Sequence, residues 1–463
     1  MRFTIIRYSD IDNNILRLEA EYYNYNSTIT GNYYTGNDII DFVQYGTSEE
    51  LNEDNLGYPT LRLNEFSSLF IQKPIKYCNK INEDKYNSLK LKKGDVLICR
   101  TNGNPKLVGK SAIVPKDYNY AFASYLFRVR PNPKKILSSV LVVYLNSFYG
   151  RAEIEKCLMV GNQANFSPAK FREILIPNLN NSLQVLIDKY LWQAYMYHEE
   201  SIAIYSQAQL MLLTELGLNN WQPEHQKYFL VNYSDTSNDK RIDAEYYQPK
   251  YDEIIERINR YTKGCNKLSQ VISINDKNII PTTGNRYKYI ELADIGNNGE
   301  ILSYTEELGD NLPTRARRLV NNNNVIVSSI EGSLDKIALV EKRHHKSLCS
   351  TGFYVLSSDI INPETMLVYF KSLAGQLQLK RGCRGTILTA INKSDLEEIV
   401  IPLIKENIQA DIALKIKLSF ELRNRSNTLL YVTKKGVELA IEKDEKTAID
   451  WMEKETCDLT DIL

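Results

Sequence analysis

A Gly/Pro-rich loop at residues 100–110, RTNGNPKLVGK, carries side chains well suited to binding nucleic acid. Arginine can bind guanine and asparagine can bind adenine through paired hydrogen bonds, while lysine and threonine can contact phosphates. A turn between two β-rich runs would present these side chains at one edge. We therefore expect six residues of this loop to bind DNA: Arg100, Thr101, Asn102, Asn104, Lys106 and Lys110.

The corresponding loop of the second half, SSIEGSLDK at 328–336, has a different and partly acidic composition. Glu331 can accept a hydrogen bond from N4 of cytosine. Two further loops, at 161–171 and 384–394, and the RARR stretch at 315–318 add polar side chains. The candidate DNA-binding residues of these segments are Ser329, Glu331, Ser333, Lys336, Gln163, Asn165, Arg384, Thr386, Arg315, Arg317 and Arg318. For each of the four loops, an ordinary hairpin connection is the alternative.

Basic residues are concentrated in the parts of the chain that carry these loops. The 463 residues include 57 basic and 57 acidic ones, so the formal net charge is zero. Residues 73–135 nevertheless contain fifteen Lys or Arg against four Asp or Glu, whereas residues 178–240 contain three against seven. Zero net charge argues against a polybasic protein, and the local excess is typical of phosphate contact or of a solvated face.

Motifs of the common DNA-acting enzymes are absent from the sequence. It has no Pro-Pro of an amino-methyltransferase pocket, no Pro-Asp of the common nuclease site, no GxxxxGK[ST] phosphate loop and no GxSxG elbow. Seven scattered cysteines without a CxxC pair indicate neither a zinc ribbon nor a disulfide framework. The adjacent His344 and His345 lie in a basic loop, and we expect them to be solvated. We therefore assign no catalytic residue, metal ligand or cofactor to this chain.

The elements that must position the loops recur in both halves of the chain. RLEAEYY at 17–23 returns as RIDAEYY at 241–247, GDVLICRT at 94–101 corresponds to NVIVSSI at 324–330, and FREILIP at 171–177 to LEEIVIP at 396–402. This ordered series indicates a tandem duplication with a unit of about 225 residues. Short β-rich runs, turns and helical runs alternate in each unit, which predicts α+β globular domains.

A long helix is predicted after the Ile-Pro boundary of each unit. Residues 182–216 contain no glycine or proline, and apolar positions recur with the 4-3 spacing of a coiled-coil seam. We expect the first helix to end at Gly217 and the two helices to pair antiparallel, although a helix packed on a compact core gives similar spacing. The seam residues are Leu183, Ile187, Tyr190, Tyr197, Ile204 and Met211 in the first helix, and Ile408, Ile412, Leu422 and Leu429 in the second.

The predicted fold is α+β, with two similar globular domains separated by two long helices that form an antiparallel coiled coil, in a pseudo-two-fold internal repeat. The globular domains are predicted at 1–177 and 221–402, the central helix at 178–220, and the C-terminal helix and tail at 403–463. No secretory signal and no apolar run of about 18 residues is present, so we expect a cytoplasmic location without membrane contact.

The repeated blocks resemble the specificity (S) subunit of type I restriction-modification enzymes. The resemblance is carried by the duplicated R-[IL]-[DE]-A-E-Y-Y, by the GDVLICRT…GKSAIV and NVIVSS…DKIALV blocks, and by the Ile-Pro boundaries before the helices. It covers essentially the whole chain. Where the family has a Glu-Gln pair after each boundary, this chain keeps Gln184 and Gln409 alone.

The resemblance implies a non-catalytic subunit of a phage-defence system, whose two target-recognition domains each read one half of a bipartite site in double-stranded DNA. It implies that the helices set the spacing of the half-sites and dock two methyltransferase subunits and, through them, restriction subunits. S-adenosylmethionine, and ATP with Mg, would belong to those partners. Two alternatives stay open: a DNA-modifying enzyme with an unrecognised site, favoured if the isolated chain binds S-adenosylmethionine, and a structural or adaptor coiled-coil protein, favoured if neither globular part binds DNA.

Overall fold

The computed structural model describes residues 32–158, 164–239, 241–275, 277–385 and 389–457. These residues fall into two units, one built from the segments before Glu199 and after Arg423 (unit 1), the other from residues 199–423 (unit 2). Both units combine helices with small sheets, which confirms the predicted α+β class. This division cuts each long helix once, so it differs from the four predicted segments, which remain a prediction.

Unit 1 contains a six-stranded sheet of order β2-β11-β7-β9-β5-β4, a three-stranded sheet of order β10-β3-β6, and the two-stranded pairs β1-β13 and β8-β12. Its strands are β1 (Tyr33–Thr35), β2 (Ile40–Tyr45), β3 (Tyr58–Leu61), β4 (Phe66–Ser67), β5 (Phe70–Ile71), β6 (Lys76–Cys78), β7 (Val96–Cys99), β8 (Thr101–Asn102), β9 (Ser111–Ile113), β10 (Ala121–Phe122), β11 (Leu126–Pro131), β12 (Ala164–Asn165) and β13 (Leu175–Pro177). The run VLIC of β7 is completely buried, because β7 lies inside the larger sheet and is covered on both faces.

Short helices close the core of unit 1. They are α1 (Gly36–Ile39), α2 (Glu83–Leu89), α3 (Ser138–Leu145), α4 (Phe148–Cys157) and α5 (Pro168–Phe171). Helix α3 is apolar on nearly all sides and almost entirely buried. Helix α4 is capped by Ser147, whose hydroxyl accepts a hydrogen bond from the Gly150 amide, as is usual for a serine that precedes a helix.

Unit 2 contains two four-stranded sheets, of order β15-β22-β19-β20 and β17-β16-β21-β18, and the pairs β14-β25 and β23-β24. Its strands are β14 (Cys265–Lys267), β15 (Ser273–Asn275), β16 (Arg286–Ile290), β17 (Thr305–Leu308), β18 (Ala316–Val320), β19 (Val325–Ser328), β20 (Ile337–Leu339), β21 (Ser347–Ser350), β22 (Phe353–Ser357), β23 (Cys383–Arg384), β24 (Ala390–Ile391) and β25 (Val400–Pro402). Helices α7 (Tyr233–Asp239), α8 (Pro249–Asn259), α9 (Leu268–Val271), α10 (Pro363–Lys371), α11 (Leu373–Gly382) and α12 (Lys393–Glu397) accompany them.

Corresponding strands pair in the same way in the two units. The antiparallel pair β1-β13 has its counterpart in β14-β25, and the order β2-β11-β7-β9 has its counterpart in β15-β22-β19-β20. The parallel pairing of β3 with β10 matches that of β16 with β21. The two units therefore repeat one topology, in agreement with the duplication inferred from the sequence.

Side-chain hydrogen bonds also recur at an offset of 225 residues. The Tyr144 hydroxyl donates to the carbonyl oxygen of Leu175 at 2.5 Å, and the Tyr369 hydroxyl donates to that of Val400 at the same distance. Both tyrosines are buried, so these bonds satisfy hydroxyl groups that have no access to water. Each bond ties a core helix, α3 or α10, to the last strand before the Ile-Pro boundary.

The two glutamines after the Ile-Pro boundaries perform the same task in both units. The Gln184 amide oxygen accepts from the Leu137 amide at 3.0 Å, and its Nε2 donates to the carbonyl oxygen of Leu179 at 2.9 Å. Gln409 accepts from the Asn362 amide at 2.7 Å and donates to Ile404 at 2.9 Å. Each glutamine thus joins the start of a long helix to the start of a core helix.

The long helices are α6 (Asn181–Glu215) and α13 (Glu406–Glu442), and α14 (Glu445–Thr456) follows α13. Helix α6 is terminated as predicted by Gly217, which has a φ of +67° and thus the left-handed conformation that glycine favours. Within unit 2 the helices run antiparallel, because Ser201 contacts Ser419 at 3.3 Å while Gln207, further along α6, contacts Lys415 at 2.9 Å. None of the helices in the described ranges has the length and hydrophobicity of a membrane span.

The buried line on α6 follows the predicted seam at first and then moves by one position. Leu183, Ile187, Tyr190 and Tyr197 are buried as expected, but Tyr205 and Leu212 are buried in place of the predicted Ile204 and Met211, which are half-buried. An α-helix has about 3.6 residues per turn, so a strict 3.5-residue pattern drifts by almost one residue over four heptads. On α13, Ile412, Leu422 and Leu429 are buried and Ile408 is half-buried.

Candidate nucleic-acid interface

In unit 1, the first and second predicted loops lie side by side. Strand β8, from the first loop, pairs antiparallel with β12, from the second. The Thr101 hydroxyl donates to the carbonyl oxygen of Ala164 at 3.2 Å, and the Phe166 amide donates to that of Arg100 at 2.8 Å. Sequence positions more than sixty residues apart therefore form one surface.

The side chains of the first loop combine local hydrogen bonds with exposure. The Oδ1 atoms of Asn102 and Asn104 accept from backbone amides two residues further on, at 2.8 and 3.1 Å, which fixes the turn. Lys106 is exposed and Lys110 is half-buried. The Arg100 guanidinium carbon lies 5.3 Å from the centre of the Tyr45 ring. The turn is thus shaped by its own asparagines and leaves Lys106 exposed.

A cavity lies beside each pair of loops, of about 260 Å³ in unit 1 and of about 540 Å³ in unit 2. The cavity of unit 1 is lined by Thr101 and Asn102 of the first loop together with three further residues, Arg62, Asn64 and the 61% exposed Tyr125. These three neighbours could not be predicted from loop composition, because their proximity depends on strand pairing across the unit. Asn165 is exposed on β12, while the predicted Gln163 lies outside the described residues.

In unit 2, the corresponding loops are also neighbours. Ile330 forms a β-bridge with Ala390, and the Glu331 amide donates to the carbonyl oxygen of Thr389 at 2.9 Å. The predicted Ser329 and Ser333 use their hydroxyl groups locally, Ser329 on the carbonyl oxygen of Gly352 and Ser333 on Ser328 and Ile330. The predicted Thr386 lies outside the described residues.

Glu331 and Arg384 line the larger cavity, of about 540 Å³, beside the loops of unit 2. Arg384 is exposed and paired with Asp395 at 2.6 Å. The half-buried Glu331 carboxylate has no hydrogen bond or ion pair with any described residue. A carboxylate in this state can accept hydrogen bonds from an amino group of a bound base.

Two of the predicted basic residues of unit 2 make hydrogen bonds within the fold. Arg318 is half-buried on the Tyr354 ring and donates from Nη1 to the carbonyl oxygen of Phe353. Lys336 donates to the carbonyl oxygen of Ile295 at 3.1 Å. Both cations therefore have a partner within unit 2, and their contact with DNA stays a prediction.

Of the other two arginines of the RARR stretch, Arg315 directly precedes β18 and Arg317 lies on it, half-buried. Arg315 is exposed and pairs with Glu291 at 2.9 Å, while the Arg317 Nε donates to the carbonyl oxygen of Thr314 at 2.8 Å. The backbone carbonyl of Arg315 accepts from the Thr351 amide, next to the Gly352 that bonds Ser329. Arg315 is therefore connected to the recognition loops through a short turn, and we keep both arginines as candidates for phosphate contact.

The repeated RIDAEYY segment lines the cavity of unit 2, which sequence reasoning did not anticipate. Arg241, Asp243, Glu245 and Tyr246 all face it. The hydrogen bond from Arg241 lowers the pKa of the Asp243 carboxyl group. Burial acts to raise the pKa of Glu245, but hydrogen bonds and charges of its neighbours outweigh it and the pKa is lowered. The duplication of this segment was the signal that could have indicated a role in the site.

The surroundings of His344 and Cys99 differ from those of a metal ligand or a catalytic nucleophile. His344 is buried, not solvated as predicted, and burial beside Arg343 and Lys288 lowers its pKa to about 4. Burial raises the pKa of Cys99 to about 11, so its thiol is protonated at neutral pH. Among the described residues, no group of His, Cys, Asp and Glu side chains is placed to hold a metal ion.

The solved structures that are similar to this chain include three from type I restriction-modification systems. The S subunit of the type I restriction-modification system from M. genitalium has 12% identity and a TM-score of 0.40, over 93% of this chain and 96% of that one. The HsdS subunit from Thermoanaerobacter tengcongensis has 13% identity and a TM-score of 0.30, over 89% and 97%. A structure of the type I R-M system, described for its complex assembly and conformational transition, has 12% identity and a TM-score of 0.28, over 91% and 97%. Neither a protein-family model nor a curated protein matches the chain.

Proposed function

We propose that this chain is the non-catalytic DNA-specificity subunit of a type I restriction-modification enzyme, and that each unit reads one half of a bipartite target. One observation carries the proposal: both units bring two distant loops together on the same strand framework, yet the loops present different side chains. Asn102 and Lys106 stand in unit 1, and Glu331 and Arg384 in unit 2. A repeated scaffold with different reading loops suits two different short sequences.

The basic stretch at 73–135 supplies phosphate contacts for unit 1. Such contacts release counterions, so the isolated chain binds DNA weakly and its affinity falls steeply with salt. Partner subunits that surround the duplex provide the remaining positive charge, which is consistent with the zero net charge of this chain.

The long helices dock two methyltransferase subunits and hold the half-sites apart. Large apolar side chains on these helices are unusually exposed in both units, which suits a partner surface. They include Val185 and Met196 in unit 1, and Leu210, Leu414 and Leu418 in unit 2. Together with the resemblance to S subunits, helices of about 50 Å favour a nonspecific spacer of about 5–8 base pairs.

The chemistry of methylation and cleavage belongs to the partners in this proposal. The methyltransferase subunits carry S-adenosylmethionine, and the restriction subunits carry ATP with Mg. The assembly is cytoplasmic and acts on chromosomal and invading DNA.

The experiment is to express the chain with its methyltransferase partner and to sequence methylated adenines genome-wide. The expected result is one split motif. Replacing Arg100 or Asn102 by Ala should relax one half-site, at a cost of about 1–3 kcal/mol if the side chain makes a paired base contact. Equal weakening on all sequences would mean phosphate contact. Binding of S-adenosylmethionine by the isolated chain would favour an enzyme, and failure of both units to bind DNA would favour an adaptor.

A further inference from the structure

We propose that the R-I-D-A-E-Y-Y segment at residues 241–247 positions the recognition loops of unit 2, with Arg241 as its central residue. The inference rests on the proposed DNA-reading function and assigns a role to residues 241–247, here called the Arg241 segment. The structure places this segment against the end of α11 and the start of the loop that contains Arg384.

Arg241 is buried and makes hydrogen bonds in several directions. Its Nε and Nη2 donate to the two carboxylate oxygens of Asp243, at 2.8 and 2.6 Å. Its Nη1 and Nη2 donate to the backbone carbonyl oxygens of Arg381 and Cys383, at 3.3 and 2.9 Å. The Tyr246 ring lies 4.1 Å from the guanidinium carbon. One side chain therefore connects the Arg241 segment to residues 381–383.

These two carbonyl groups stand at the C-terminal end of α11, where backbone acceptors have no partner within the helix. A cation at this position satisfies them and is favoured by the helix dipole. Strand β23, which contains Arg384, begins immediately after α11 and pairs with β24. Ala390 of β24 forms the bridge to Ile330, next to Glu331. Arg241 is thus connected, through the end of α11 and the strands β23 and β24, to both recognition loops of unit 2.

Tyr246 strengthens the same connection. The centre of its ring lies 4.1 Å from the guanidinium carbon of Arg241 and 4.9 Å from that of Arg381. Arg381 is held in turn by Asp252 on α8, at 2.9 Å. The end of α11 is therefore fixed from two sides, by a hydrogen-bonded arginine and by a stacked tyrosine.

The geometry selects the substitution that tests this role. A planar guanidinium group can reach a carboxylate and two carbonyl oxygens at once, whereas a lysine ammonium group cannot reproduce this fork. Arg241→Lys therefore keeps the charge and most of the aliphatic chain but loses the connection. Arg260→Lys is the matched control, because Arg260 is exposed on the same unit and pairs with Glu256 at 3.8 Å.

Both variants are made in the full chain, expressed with the methyltransferase partner, and compared by methylated-site sequencing and thermal unfolding. We expect Arg241→Lys to lower discrimination about tenfold, or about 1.4 kcal/mol, at the half-site read by unit 2. The other half-site and the spacer should stay unchanged, and Arg260→Lys should match the natural chain.

Full discrimination at both half-sites in a folded Arg241→Lys variant would overturn the inference, and so would an equal loss at both. If that variant does not fold, Asp243→Asn, which keeps the shape but removes the charge, must show the same one-sided loss. If both variants fail to fold, Arg241 and Asp243 have a purely structural role, and the inference is also overturned. Failure of the natural chain to direct methylation to a split motif would instead refute the proposed function.

Discussion

Lengthening both long helices by one heptad should lengthen the spacer of the DNA target and leave its half-sites unchanged. The insertions belong between His198 and Glu199 in α6, and between Arg423 and Asn424 in α13. The division between the two units falls at these positions, so the inserted residues interrupt neither unit. An insertion of seven residues, close to two helical turns, keeps the apolar seam nearly in phase.

The expected change follows from the helix lengths. Helices α6 and α13 contain 35 and 37 residues, which correspond to about 52 and 55 Å at about 1.5 Å per residue. Seven further residues add about 10 Å, and base pairs stack at about 3.4 Å, so the spacer should grow by about three base pairs. Because about 10 base pairs make one turn, one half-site also rotates by about a third of a turn. Methylation should therefore slow at the lengthened sites.

The assay is sequencing of methylated adenines in a host that carries the lengthened chain and its partner. Both half-sites should be retained, separated by the longer spacer. As a control, a heptad placed in α13 alone makes the helices unequal and should abolish methylation. Efficient methylation with the original spacer in the doubly lengthened chain would show that the helices do not set the distance.

Three further predictions concern individual side chains. Glu331→Gln should cost about 1.5–3 kcal/mol at one base pair of one half-site, measured as methylation rates on duplexes that differ only at that base pair. The control Glu306→Gln, at an exposed carboxylate of the same unit, should have no effect. Equal weakening on every duplex would contradict base reading by Glu331. Asp95→Ala removes the carboxylate 3.0 Å from the buried Arg128 and should lower the free energy of unfolding by about 3–5 kcal/mol in urea titrations, and a loss below about 1 kcal/mol would contradict this. The pKa of His344 is about 4 in the fold and about 6.5 in the unfolded chain, so the unfolded chain takes up the proton first as the pH falls. The free energy of unfolding should therefore fall by about 3 kcal/mol between these two pH values. His344→Gln should flatten that pH dependence.

The framework of this protein could largely be predicted from its sequence because the relevant signals are local or repeated. Gly217 ends α6 by its own backbone preference, and the repeated blocks place corresponding strands and helices in both units. The prediction that the recognition loops are polar turns between strands also rests on local sequence signals. The adjacency of the loops, by contrast, arises from the pairing of β8 with β12, which loop composition does not encode.

Side-chain roles were harder to predict, because they depend on distant backbone groups. Arg318 and Lys336 look like DNA contacts in sequence, yet each donates to a carbonyl oxygen brought near by the fold. His344 looks solvated beside basic neighbours, yet it is buried. Arg241 is the opposite case, because its segment was noticed as a repeat and its contacts with the end of α11 required the structure.

The composition of unit 1 from two separate chain segments has a consequence for synthesis on the ribosome. Unit 2 is contiguous, at residues 199–423, and can fold as soon as it has emerged. Unit 1 also needs the segment after Arg423, including Thr456, whose hydroxyl donates to that of Tyr190 at 2.7 Å in a buried contact. At about 5–20 residues per second, that segment follows several seconds later. The part of the chain translated first is thus completed last, and its unpaired helix face is the surface on which nascent chains of this protein would need a chaperone.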